Sequence, residues 1–160
     1  MATVSLFMLA SCTGTRTERA SPSSPLGTGT ISTSPATTVP PPVRDYSSFT
    51  QALDAAGFSV REGGRLSGEL FAVPGQRVFI DGTQILAYEY ARDEALNEVR
   101  LSISRDGYSV PTRTGGVAMV EWVSTPHFYS AGRLLVLYLG EKQRTLDALN
   151  LLLGPQVAGE

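Results

Sequence analysis

The feature that most constrains this chain is a break in composition at about residue 44 of its 160. Thr13 to Arg44 is dominated by Ser, Thr, Pro and Gly, with Pro40-Pro41-Pro42 near its end. Its only large apolar residues are Leu26, Ile31, Val39 and Val43. So little apolar surface cannot offset the entropy of ordering, so residues 13–44 are expected to be disordered. The proline triplet should be extended and stiff. As a coil, such a segment separates its ends by roughly 30 Å. Any core must come from residues 45–160, a length suited to one domain.

The segment before the break carries its own signal. Val4-Ser5-Leu6-Phe7-Met8 is apolar and runs into Leu9-Ala10-Ser11-Cys12. That order resembles the lipobox of bacterial lipoproteins. The resemblance implies cleavage before Cys12 and acyl chains on Cys12, which would then be the lipid attachment site. No Lys or Arg precedes Cys12, and the apolar run is shorter than the usual stretch of about 7–15 residues. A start codon placed too late would account for both. The competing expectation is a cytosolic chain with a chance apolar N-terminus. No later run approaches the roughly 18 apolar residues of a membrane span. Residues 1–12 are therefore expected to be a lipoprotein-type signal, and 13–44 a tether holding the domain outside the cytoplasm at the bacterial envelope. Several acyl chains would anchor the protein far more firmly than one.

Composition narrows the function classes. Cys12 is the only cysteine, so no internal disulfide and no cysteine-based metal site can form. The formal charge is −2 and the charges are scattered, which argues against a nucleic-acid partner.

Downstream of the break, the pattern alternates helices and strands. Ser48-Phe49-Thr50-Gln51 reads as a capping box opening a helix, with Phe49, Leu53 and Ala56 on one face and Gly57 ending it. Phe58–Arg61 is a short strand turned by Gly63-Gly64, and Leu70–Val73 is another. Arg77–Ile80 and Gln84–Tyr90 flank Asp81-Gly82, a strong hairpin sequence. Leu86, Tyr88 and Tyr90 should share one face, and Ile85, Ala87 and Glu89 the other. A helix is expected over Ala91–Ser104, a polar loop over Tyr108–Gly116, and a strand over Val117–Val123. Pro126–Gly132 should connect to the strand Arg133–Leu139, which is apolar on both faces and so expected at the sheet centre. Glu141–Leu153 closes the chain as a helix, stopped by Gly154-Pro155. The order α-β-β-β-β-α-β-β-α predicts an α+β fold. An antiparallel sheet of about five to six strands would carry three helices packed on one face.

Chemistry-bearing residues are sparse. His127 is the only histidine, and no HxH, HExxH or paired Cys is present, so no metal ligands and no cofactor are expected. There is no GxSxG elbow. Ser124, Ser130 or Asp106 would have to be brought to His127 by the fold to build a hydrolytic site. Glu89 lacks a carboxylate partner at a fixed spacing, so a glycosidase pair is not supported. Gly63-Gly64 and Gly115-Gly116 fit no phosphate-binding pattern and read as turns. The preferred site is a candidate binding patch of Trp122, His127, Phe128, Tyr129 and Arg133, since aromatics with arginine are enriched at interaction hot spots. The patch fails if Trp122 and Phe128 are fully buried.

Three segments carry a second resemblance: Val120–Tyr129, Gly132–Gly140 and Leu153–Gly159. With Phe71–Gly75 and Tyr88–Tyr90, they make the region from Tyr46 onward look like a family of small, uncharacterised bacterial lipoproteins. The resemblance implies no activity. The expected function is a lipid-anchored, non-enzymatic binding or assembly module. It would meet the membrane through its lipid and take an unspecified protein or small molecule as partner. The alternative is a small envelope enzyme or ligand carrier with a pocket near His127.

Overall fold

A computed structural model describes residues 42–67 and 70–159. Cys12, the signal segment and nearly all of the expected tether lie outside the described residues. The domain begins slightly earlier than residue 45, since Val43 is buried in the core and the Arg44 carbonyl accepts from the Arg133 amide at 2.9 Å.

The fold is α+β. In chain order the elements are α1 (Tyr46–Ala55), β1 (Val60–Leu66), β2 (Gly75–Ile80), β3 (Thr83–Glu89), α2 (Asp93–Ser102), β4 (Ser109–Pro111), β5 (Val117–Met119), β6 (Pro126–Ala131), β7 (Leu134–Leu139) and α3 (Gln143–Leu153). Five strands form an antiparallel sheet in the order β1-β2-β3-β7-β6, and β4 and β5 pair separately.

The β2–β3 hairpin forms as expected. Asp81 and Gly82 both take positive φ, 48° and 78°, which lets a two-residue turn match the twist of its strands. The Asp81 carboxylate also accepts from the Ser59 amide and pairs with Arg144 at 2.9 Å, tying the turn to β1 and α3. Alternation along β3 divides the core as predicted. Ile85 and Ala87 join one apolar cluster, and Tyr88 and Tyr90 join the other.

Strand β7 contributes to both clusters. Leu134, Val136 and Tyr138 face α1 and α3, while Leu135 and Leu137 face Leu96 of α2, Phe71 and Phe128. The helices therefore cover both faces rather than one. A strand apolar on both sides needs two covers, and that requirement overrides the tendency of helices to segregate. β3, not β7, occupies the centre, although β7 is flanked on both sides.

Other expectations are corrected. Ser48 is not the helix N-cap. Asp45 caps α1 by accepting from the Ser48 amide at 2.9 Å, and Ser48 Oγ accepts from the Asp45 amide at 3.0 Å. The capping box is real but starts three residues earlier. Leu70–Val73 is not a strand, and Phe71 is buried there by packing alone. The loop over Tyr108–Gly116 contains β4, and the strand from Val117 stops at Met119, leaving Trp122 outside it. Pro126–Ala131 is strand β6 rather than a connector. Proline is tolerated as its first residue because no ladder bond is needed there.

The two glycine pairs part ways. Gly115-Gly116 lies in the β4–β5 turn, but Gly63-Gly64 sits inside β1. The register slips between Glu62 and Gly64, so Gly63 is the extra residue of a β-bulge. A Cβ on Gly63 would lie 2.6 Å from the Phe79 ring and 2.8 Å from the Arg77 side chain, so close approach as well as the bulge selects glycine.

Candidate functional site

The five residues of the expected patch do not form one surface. Phe128 is fully buried, edge-on to Trp122 at 6.1 Å and to Phe71 at 6.4 Å. Tyr129, its neighbour on β6, points to the opposite face of the sheet and is also buried. Trp122 is half-buried and donates from Nε1 to the Gly107 carbonyl at 2.9 Å. Since the side-chain period of a strand is two, consecutive aromatics cannot share a face. Reading β6 as a connector is what made them look contiguous.

His127 is packed within the sheet, with Nε2 buried and without a hydrogen-bond partner among the described residues. Its ring stacks on Tyr138, its cross-strand partner, at 5.9 Å between centroids. Nδ1 lies 2.9 Å from Gln156 Oε1 and so donates to it. The Gln156 amide also donates to the Gly159 carbonyl, fastening the C-terminal tail. Two backbone bonds pair that tail with Phe128 and seal this part of the β6 edge. Asp106 is taken by the Ser104 hydroxyl at 2.5 Å and the Tyr108 amide at 3.1 Å, and the Ser104 bond holds its carboxyl below the usual range. No hydrogen bond joins Ser124, Ser130 or Asp106 to His127 among the described residues, so the hydrolytic arrangement is not assembled. Neither is there a cluster of metal-ligating residues among them.

Arg133 leads elsewhere. It follows Gly132 in the β6–β7 turn and pairs with Glu89 at 2.7 Å and Asp45 at 3.6 Å. Glu89 also accepts from the Tyr46 amide at 3.3 Å. These contacts border a cleft of about 520 Å³, lined by Tyr46, Glu62, Arg65, Gln76, Glu89 and the backbone around Gly64 and Gly75. The volume falls in the range of small-molecule sites.

The bulge at Gly63 builds this cleft. Without it, Glu62 and Arg65 would point to opposite faces of β1. With one residue inserted, Glu62 stands opposite Val78 and Arg65 opposite Gln76. Val78 and Gln76 share the α1 side of β2, so both charges project to that side. Gln76 in turn faces Ala87 on β3, which forms the floor. From above, the Tyr46 hydroxyl donates to Glu62 Oε1 at 3.2 Å. Burial, reinforced by the Glu62 charge, pushes the Tyr46 phenol up to about 12, so it stays a proton donor at neutral pH.

Sequence reasoning missed Tyr46, Glu62, Arg65 and Gln76, and met Glu89 only in a strand alternation and as a carboxylate without a partner at fixed spacing. The one local signal was a Gly-Gly pair inside a run of strand residues, which marks a bulge as readily as a turn. Comparison of the chain with protein-family models, with curated proteins and with solved structures returns no match in any of the three.

Proposed function

We propose that this chain is a lipid-anchored, non-enzymatic binding module of the bacterial cell envelope, and that its ligand sits in the cleft at the β1 end of the sheet. One observation carries the binding part. An open cleft of about 520 Å³ presents Glu62, whose partner is the Tyr46 hydroxyl, beside Arg65, which makes no ion pair among the described residues. Polar groups converging on a concave floor suit recognition. His127, by contrast, meets an amide and a phenol ring, which supports a structural role over a pocket centred on it. The anchoring part rests on the order Leu9-Ala10-Ser11-Cys12 and on the Ser/Thr/Pro-rich segment after it.

The test is expression in a lipoprotein-competent bacterium with the natural upstream codons, followed by cell fractionation and intact mass. A membrane-bound wild type with a diacylglyceryl increment, lost in Cys12→Ser, is the expected result. A soluble wild type that retains Met1–Ser11 would contradict the anchor and the envelope location together.

A further inference from the structure

We infer that the cleft recognises a small zwitterion, an amino acid or short peptide whose free ammonium meets Glu62 and whose free carboxylate meets Arg65. This rests on the binding reading above and adds the chemical class of the ligand.

Three observations lead there. First, the cleft holds one carboxylate and one guanidinium that do not neutralise each other. Among the described residues Glu62 and Arg65 form no ion pair, while the neighbouring Glu89 is engaged by Arg133 at 2.7 Å. A ligand of single sign would gain from one of the two free charges and be repelled by the other; a zwitterion uses both. Second, the bulge sets their spacing. Opposite Val78 and Gln76, Glu62 and Arg65 are separated by two residues of β2, or about 7 Å along the strand. That separation admits a short backbone between two charged ends and prevents the side chains from collapsing onto each other at their roots. Third, the space between them is lined by hydrogen-bonding groups suited to an amide unit. The Gln76 carboxamide both donates and accepts, and the Tyr46 hydroxyl, whose proton goes to Glu62, can accept. Arginine's planar fork matches a carboxylate in a two-bonded geometry, which a lysine at position 65 would not reproduce.

The test uses the full chain carrying Cys12→Ser, titrated with alanyl-alanine, its N-acetyl derivative and its C-terminal amide. Binding is read by calorimetry and by tyrosine fluorescence. The free dipeptide should saturate the protein at millimolar concentration or below. Blocking either end should weaken binding by about tenfold or more, the size of one lost charge-assisted hydrogen bond. Glu62→Gln should abolish the penalty for N-acetylation while keeping that for amidation, and Arg65→Gln should do the reverse. Both positions are exposed, so thermal melting of each variant should match wild type and separate a lost contact from a lost fold. Failure of the free dipeptide to saturate, or equal binding of free and blocked forms, would overturn the zwitterion assignment. Fractionation of wild type and Cys12→Ser reports separately on the anchor. A membrane-bound wild type that ignores the dipeptide would refute this inference and leave the envelope reading standing.

Discussion

The two edges of the main sheet are built on opposite plans. At the β6 edge, Phe128 is fully buried, Tyr129 nearly so, and the C-terminal tail closes over the backbone. His127 and Trp122 each spend a polar hydrogen on a fixed partner. At the β1 edge, a bulge breaks the pleat, glycine replaces side chains, and Glu62, Arg65 and Gln76 face a cleft. One edge spends its chemistry on stability and the other leaves it available. Aromatic density in a sequence marks the first kind of edge. Glycine inside a strand marks the second.

Removing the Phe128 ring should show the largest effect. Phe128→Ala is expected to cost about 3–5 kcal/mol in urea unfolding, as for large rings deleted from a close-packed core. Val123→Ala, at a position 93% exposed, should stay within about 0.5 kcal/mol. Similar values for the two would mean that the β6 side is not a packed core.

Gly63→Ala comes next. Its Cβ would meet Phe79 and Arg77 inside the closest observed contact range, so we expect about 1–3 kcal/mol of destabilisation by overpacking. Gly116→Ala, whose Cβ would sit 3.5 Å from the Thr112 hydroxyl, should change stability by less than about 0.5 kcal/mol. Measuring both by thermal melting separates a bulge from a turn, and equal costs would refute the bulge assignment.

Much of the fold was legible in the sequence. Asp81-Gly82 named its hairpin, the Leu134–Leu139 run announced a strand covered on both faces, and Leu149 and Leu153 marked the inner face of α3. These are local patterns, fixed by turn geometry and by periodicity. Strand β6 was hidden because Pro126 and Gly132 bracket a run whose alternation is masked by aromatics on both sides. The cleft was hidden for a different reason. Tyr46, Glu62, Gln76 and Glu89 lie on four separate elements, and only strand pairing brings them together. Pairing depends on register, and register here turns on one inserted glycine.

Smaller effects sharpen the comparison at the rim. Arg133→Gln removes the pair with Glu89, whose partners are 40% and 37% exposed, so about 0.2–1 kcal/mol is expected in a double-mutant cycle with Glu89→Gln. A larger coupling would place Arg133 among the structural residues of the core.

The α1 cap differs from the rim in its pH dependence. The Ser48 amide, then its hydroxyl, hold the Asp45 carboxyl below its ordinary value, with Arg133 adding to the effect. A group whose pKa falls on folding stabilises the native state above its unfolded value and loses that contribution as pH falls through its folded value. The stability difference between wild type and Asp45→Ala should therefore be constant above about pH 5 and shrink in acid. A difference that grows on acidification would contradict the capping geometry.

The most direct test of the contrast between the edges is an amide chemical-shift map of the full chain, carrying Cys12→Ser, during titration with alanyl-alanine. The account predicts shifts confined to Tyr46, Glu62–Arg65, Gly75-Gln76 and Ala87–Glu89, with the amides of Trp122 and His127–Tyr129 unmoved. Shifts centred on Trp122, His127 and Phe128, with the β1 end silent, would contradict it.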